Sequence, residues 1–316
     1  MNLTAITPRT RDVPRTTGRR VTLTPRDLVW FEMLHRHGAL PITYLYQFTK
    51  DQFRSLDAAK NRATPLFHEA NTPHNGQYLS RPGQQWATLS PNAMQHELVH
   101  ELRPAAERAL KDAGLWRERA PQPSPSHWHH DFMVSCFTAS VHLATLGTEY
   151  GYVFQDEILD RAVATMTFDV GERRSAKEIP LRPDRMFGIR YPSGKVRVFI
   201  LEADRATETL RSTLPRKTIE RNVRQYRAFI GGGLYKDALK LSGGVLVIYA
   251  TTARDRMRNI QEVIAEGSPG GRNAYSLTTY LPEFGPYTRP PAVMPRLFTD
   301  PYERVGHEPF MISISG

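Results

Sequence analysis

The chain has 316 residues, a formal net charge of +10 and a pI near 9.8. That length exceeds a typical single domain and predicts two or three compact units, while the arginine-rich excess points to a polyanionic partner, because a guanidinium fork binds two phosphate oxygens at once. A single cysteine, Cys136, excludes an internal disulfide and a cysteine-rich zinc module. No stretch is apolar for the roughly twenty residues of a membrane helix, and the N-terminus lacks the apolar core of a signal peptide, so the expectation is a cytoplasmic protein with no membrane partner.

Residues 1–20 carry Arg9, Arg11, Arg15, Arg19 and Arg20 with Pro8 and Pro14 and show no apolar periodicity, which reads as a flexible basic arm. Order begins at Thr24-Pro25-Arg26-Asp27: Thr24 can cap, Pro25 suits the first helical position and Asp27 faces the positive helix end. Leu28, Phe31 and Leu34 share one face and Gly38 stops the helix. A second helix is expected around 42–48 and a third over about 52–68, with a kink or boundary at Pro65. Asn71 to Gly76 is a turn signal between strand-like flanks at 77–79 and 85–89. Three helices and a hairpin predict a winged helix-turn-helix over 21–120, with the third helix in the major groove of double-stranded DNA and the hairpin on the backbone. Arg54, Ser55, Lys60, Asn61 and Arg62 are the candidate groove contacts, since Arg reads guanine edges and Asn adenine edges; the competing reading is a solvated polar face. His96 to Val99 can add a strand, and Pro104 to Asp112 a helix stopped by Gly114.

Pro121-Gln122-Pro123-Ser124-Pro125-Ser126 reads as an extended linker over 121–127. Beyond it, 128–266 reads as an α/β domain: a helix over 131–146, strands at 162–170, 184–191, 195–203 and 244–251, and helices at 215–230 and 254–265. The segment 267–316 is a C-terminal extension without assigned elements, its last part expected to dock back on the fold. His127-Trp128-His129-His130 invites a metal reading, but adjacent histidines on a helix point in different directions and no cysteine or carboxylate pair supports them. Gly231-Gly232-Gly233 follows a helix and therefore reads as a helix stop, not a phosphate loop.

Two acidic positions stand out. Asp184 opens one strand and Glu202 closes its neighbour across the turn Tyr191-Pro192-Ser193-Gly194, so both carboxylates fall at the same end of a two-stranded unit. There they can share one hard cation, Mg²⁺ or Mn²⁺, with the Ala203 carbonyl completing the inner shell. Alternation puts Asp204 on the face of Glu202 as a further carboxylate. The alternative is structural pairing with Arg182, Arg185 or Arg205. On the following helix Ile219, Val223, Tyr226 and Ile230 form an apolar stripe beside Lys217, Arg221 and Arg224; Lys217 is a candidate for phosphate charge at the acidic pair, and Arg221 and Arg224 for DNA phosphates, against the alternative of a solvent-facing stripe.

Pro183-Asp184 followed by Glu202-Ala203-Asp204 resembles the nuclease core named for its PD-(D/E)xK signature, with Asp204 where that core carries lysine. The element order is also that of a restriction-endonuclease-like core. Leu23-Thr24-Pro25-Arg26-Asp27, Arg182 to Phe187, Phe199 to Glu208 and Arg216-Lys217 through Tyr226 together resemble the replication-relaxation family of plasmids and other mobile elements, although Ala206 stands where that pattern has glycine. The resemblance implies a role in plasmid replication, relaxation or mobilisation. The leading expectation is a double-stranded DNA-binding accessory or regulatory protein. The alternatives are a Mg²⁺-dependent endonuclease or nickase using Asp184, Glu202, Asp204 and Lys217, and an inactive nuclease fold that recruits a relaxase or replication protein. A homodimer would suit a winged helix.

Overall fold

A computed structural model describes residues 13–86, 97–117, 128–159, 167–171, 173–174, 177–178, 180–205, 209–211, 218–241, 243–284 and 290–314. The chain is mixed α/β and divides into two compact units. Among the described residues no helix is long and apolar enough to cross a membrane.

The first unit contains α1 (Pro25–His37), β1 (Leu40–Pro41), α2 (Ile42–Phe48), α3 (Leu56–His68), β2 (Leu79–Ser80), β3 (Val99–Leu102), α4 (Pro104–Asp112) and most of α5 (Trp128–Thr145). Its small sheet is antiparallel in the order β1-β3-β2, with Leu40 opposite His100 and Leu79 opposite Leu102. Trp30, Phe31, Tyr44, Leu66 and Tyr78 are buried at its centre. Phe31 stacks on Tyr78 at 5.2 Å, and the Trp30 indole N–H donates to Thr49 Oγ1 at 2.8 Å. Residues 290–294 return to this unit, where Ala292 O accepts from the Tyr44 hydroxyl at 2.9 Å and Met294 N donates to Ser140 Oγ at 3.1 Å.

Asp27 ties α1 to α3. Its Oδ2 accepts from the backbone N–H and the hydroxyl of Thr24, each at 2.7 Å, and Arg62 engages both carboxylate oxygens at 2.9 and 2.5 Å. With Asp27 fully buried, these donors replace the water that the carboxylate gives up. α3 ends at His68 as expected, and of the two expectations at Pro65 the boundary is not met, because the helix continues through it. Proline in the last turn removes only one late backbone bond, while Leu66 and Phe67, both buried, hold the turn against the core.

The expected hairpin also differs. Gln85 and Trp86 lie in a 3₁₀ turn, Gly83–Trp86, while 87–96 fall outside the described residues, and the partner of β2 is β3. The buried Gln85 side chain takes the place of a strand there: its Oε1 accepts from Val99 N at 3.0 Å and its Nε2 donates to Val99 O at 3.3 Å.

The second unit holds β4 (Gly151–Val153), α6 (Gln155–Ile158), β5 (Arg173–Arg174), β6 (Lys177–Glu178), β7 (Arg185–Arg190), β8 (Val196–Asp204), α7 (Ile219–Tyr226), α8 (Leu234–Leu239), β9 (Val245–Thr251), α9 (Arg254–Glu266), β10 (Ser276–Tyr280), α10 (Arg296–Thr299), β11 (Tyr302–Arg304) and β12 (His307–Phe310). Seven of these strands form one sheet in the order β12-β11-β10-β9-β8-β7-β4. β4, β7 and β8 are antiparallel, β9 and β10 run parallel to β8, and β11 and β12 turn back antiparallel. The β7–β8 turn closes at Gly194, whose φ of +80° suits glycine.

Alternation along β8 sends Val198 and Ile200 into a core with Met186, Val247, Ile219, Val223 and Ile260, under α7 and α9. Phe199 goes to the other face, where it stacks on Phe187 at 5.3 Å. The expected helix over 215–230 begins, in the described residues, at Ile219 behind a Thr218 cap, and passes into a π-helix at Arg227–Gly231. A Cβ on Gly232 would stand 2.4 Å from Ala228 O, so only glycine closes this widened turn. The strand expected at 162–170 lies largely outside the described residues, apart from a bridge of Phe168 to Leu181. The C-terminal extension is no appendage: β10, β11 and β12 enlarge the sheet.

Candidate active site and nucleic-acid interface

The β7–β8 ladder stops at Arg185 opposite Leu201. The preceding Pro183 carries no N–H, so it cannot donate to a continued ladder. Asp184 substitutes with its side chain: Oδ2 accepts the Ala203 N–H at 2.8 Å. The Pro-Asp dipeptide thereby terminates the strand pair and fixes a half-buried carboxylate beside the carboxyl end of β8.

Glu202 and Asp204 share the helix-covered face of β8 with Val198 and Ile200, and both are nearly fully buried. The Tyr226 hydroxyl on α7 donates to Glu202 Oε1. Burial raises the Tyr226 pKa well above the ordinary phenol value, and the charges of Glu202, Tyr249 and Asp184 raise it further, so Tyr226 remains a donor. Its ring meets Tyr249 of β9 edge-on at 6.4 Å, and the Tyr249 hydroxyl donates to Asn222 Oδ1 at 2.8 Å. Asp204 accepts from Arg256 Nε at 2.5 Å, with both side chains largely buried. The acidic residue at the signature's lysine position is thus matched by an arginine from α9.

The donor set of Asp184, Glu202 and the Ala203 carbonyl consists of oxygens only, which fits Mg²⁺ or Mn²⁺. Among the described residues no group of three or more His, Cys, Asp or Glu side chains gathers as a metal cage, so a cation here would rely on two carboxylates together with water or phosphate. Lys217 lies outside the described residues. Arg221 and Arg224 sit on α7 away from its buried positions Asn222, Val223, Gln225 and Tyr226, Arg221 half-buried and Arg224 exposed. His130 contacts Asp131 at 3.3 Å.

In the first unit, α3 presents Lys60, Asn61 and Thr64 on its exposed side. Arg54 is exposed just before the helix; Ser55 caps it, accepting from Ala58 N at 3.2 Å. Lys60 pairs with Asp57 at 3.0 Å on the surface. Arg62 is committed to Asp27 and to the Thr22 carbonyl at 2.7 Å, so it braces the helix from behind.

Sequence reasoning did not single out Arg256, nor Tyr226 as a site residue. Arg256 had a positional signal: it falls in the first turn of the helix that follows β9, the parallel neighbour of β8, and such turns overlie the carboxyl ends of the strands. Tyr226 was read as part of an apolar stripe, which its buried ring satisfies; only its hydroxyl reaches the site.

The sequence matches the replication-relaxation family over residues 31–245, and the chain belongs to that family. The match spans both the α3 face and the acidic strand pair, and ties the protein to plasmid or mobile-element replication or relaxation. Comparison with curated proteins and with solved structures gives no match.

Removing the Arg256 guanidinium takes a charge partner from the buried Asp204 carboxylate. Arg256→Met is expected to lower unfolding stability in urea by about 3–5 kcal/mol, and adding Asp204→Ala should recover much of that loss. A loss below about 1 kcal/mol in the single variant would show that the pair does not hold this end of the sheet.

Proposed function

We propose that this protein is a double-stranded DNA-binding accessory or regulatory protein of a plasmid or other mobile element, in which a winged helix-turn-helix is joined to a PD-(D/E)xK-like core. The observation that carries the reading is the element order of the first unit, α1-β1-α2-α3-β2-β3, with α3 turning Lys60, Asn61 and Thr64 outward. That order is the order of a winged helix, whose third helix enters the major groove. Ser55 at the helix start, Arg54 beside it and Asn61 nearly two turns on are the contacts we assign to DNA; Arg62 supports them by fixing α3 to Asp27. In the second unit, Arg221 and Arg224 are assigned to phosphates. A relaxase or replication protein is the class of protein partner that the family membership favours, and the cytoplasm is the compartment where these partners meet.

Purified protein is expected to bind a labelled duplex with an affinity that falls by roughly 10³ between 50 and 200 mM salt, as phosphate contacts release counterions. Arg54→Ala with Asn61→Ala should weaken binding and relax its sequence preference. Absence of duplex binding at low salt would refute the reading.

A second reading is a metal-dependent endonuclease or nickase, favoured by the paired placement of Asp184 and Glu202 at one strand end. These two residues would hold the cation, which when bound supplies Lewis-acid polarisation of the phosphate and acidifies water. The Ala203 N–H orients Asp184, Tyr226 orients Glu202 by donating to Oε1, and Lys217 is the residue we assign to phosphate charge. On this reading supercoiled DNA is nicked in Mg²⁺ or Mn²⁺ and left intact with chelator, and both Asp184→Ala and Glu202→Ala abolish nicking. Cleavage that survives either substitution would remove that residue from the chemistry.

A further inference from the structure

The described part of the N-terminal segment is docked. Arg15 N donates to His68 Nδ1 at 3.0 Å, Asn71 Nδ2 donates to Gly18 O at 3.1 Å, and Val21 is buried. The centre of the attachment is Glu69, the residue that follows α3. Its Oε2 accepts from the Thr16 hydroxyl at 2.9 Å, its Oε1 from the Thr17 hydroxyl at 2.8 Å, and the Thr17 N–H reaches both oxygens at 3.2 and 3.0 Å. The Thr17 hydrogen bond, seconded by Thr16, holds the Glu69 carboxyl below the usual carboxylate range.

The clasp occupies a carboxylate that lies beside three arginines. Glu69 is satisfied by neutral hydroxyl and amide donors, while Arg15, Arg19 and Arg20 are exposed. Together with Asn61, Arg62, Thr64, His68 and Glu69 itself they line a concave groove of about 940 Å³ that runs along the outer side of α3. This placement follows from sequence in a simple way: the threonines between the arginines supply the short donors that a single acid can gather, and the arginine side chains are left to point elsewhere.

We propose that this groove is a duplex-DNA backbone site, with Arg15, Arg19 and Arg20 as phosphate contacts and Glu69 as the positioning residue that pre-orders them beside α3. The inference rests on the proposed DNA-binding function and adds a second contact surface to the helix face. Two features favour a duplex over an anionic membrane: the surface is concave, and it carries guanidinium forks suited to paired phosphate oxygens. Ordering the arm before binding lowers the entropy lost on association, so the same charges bind more tightly docked than free.

The experiment compares wild type, the triple variant Arg15→Ala, Arg19→Ala, Arg20→Ala, and Glu69→Ala in duplex binding across a salt series, with trypsin cleavage of the arm followed in parallel. The triple variant alters only exposed residues and should fold normally. It is expected to lose roughly tenfold or more in affinity at low salt and to reduce the slope of log K against log salt by about 2.7, or about 0.9 for each phosphate contact. Glu69→Ala keeps the three charges and should bind more weakly with faster cleavage after Arg15, Arg19 and Arg20. If wild type binds duplex but the triple variant keeps both affinity and slope, the groove proposal is overturned and the α3 reading stands. If wild type binds no duplex, the functional reading itself fails. Unchanged cleavage in Glu69→Ala would overturn the clasp, and stronger binding to phosphatidylserine vesicles than to duplex would assign the groove to a membrane instead.

Discussion

Everything at the acidic end of the second unit depends on the Asp184 side chain taking over a backbone hydrogen bond. Pro183 has no N–H to give, so the β7–β8 ladder must stop; the Ala203 N–H would then lie unsatisfied at a half-buried sheet end, and Asp184 accepts it at 2.8 Å. A carboxylate is thereby held beside Glu202 by a structural demand. The Tyr226 hydroxyl and the Arg256 guanidinium fix the two acids of β8 from α7 and α9. An unsupported cluster of three acids would repel itself or take up protons; here Asp204 pairs with Arg256, Asp184 accepts the Ala203 N–H and Glu202 accepts the Tyr226 hydroxyl. The arrangement leaves a pair of carboxylates suited to one divalent cation, with Asp204 withdrawn from that task.

The first unit uses the same economy of buried acids. Asp27 grips the middle of α3 through Arg62, and Glu69, just past its C-terminus, grips the chain that precedes α1. Each gathers donors from threonines, Thr24 three residues from Asp27, and Thr16 and Thr17 far in sequence from Glu69. Together they set the position of α3 and of the arginines beside it, so the charges that we propose contact a duplex are ordered before it arrives.

Much of this was legible in the residues. The runs that became β7, β8 and β9 are apolar, bounded by turn chemistry and nearly unbroken, so their limits fell within a residue of those expected. α2 and α4 also fall where they were expected, α4 with its stop at Gly114. The extension strands did not. Ser276-Leu277-Thr278-Thr279-Tyr280 has few aliphatic residues, and β12 holds Pro309, which an edge strand tolerates and a central one does not. Gln85 escaped because a glutamine standing in for a strand leaves no periodic trace. The described part of the arm was read as flexible for the same reason: its docking rests on threonine hydroxyls and one distant acid, not on apolar periodicity. At the site, the two carboxylates were visible through a hairpin that fixes their register, whereas Arg256 and the Tyr226 hydroxyl arrive from helices whose approach only the folded sheet determines.

The most direct test of the acidic pair is a calorimetric titration of the protein with Mn²⁺. The account expects one saturable site that disappears in both Asp184→Ala and Glu202→Ala and persists in Asp204→Asn. A protein that takes up no Mn²⁺, or whose site is indifferent to Asp184 and Glu202, would contradict the claim that this strand end is built to share a cation.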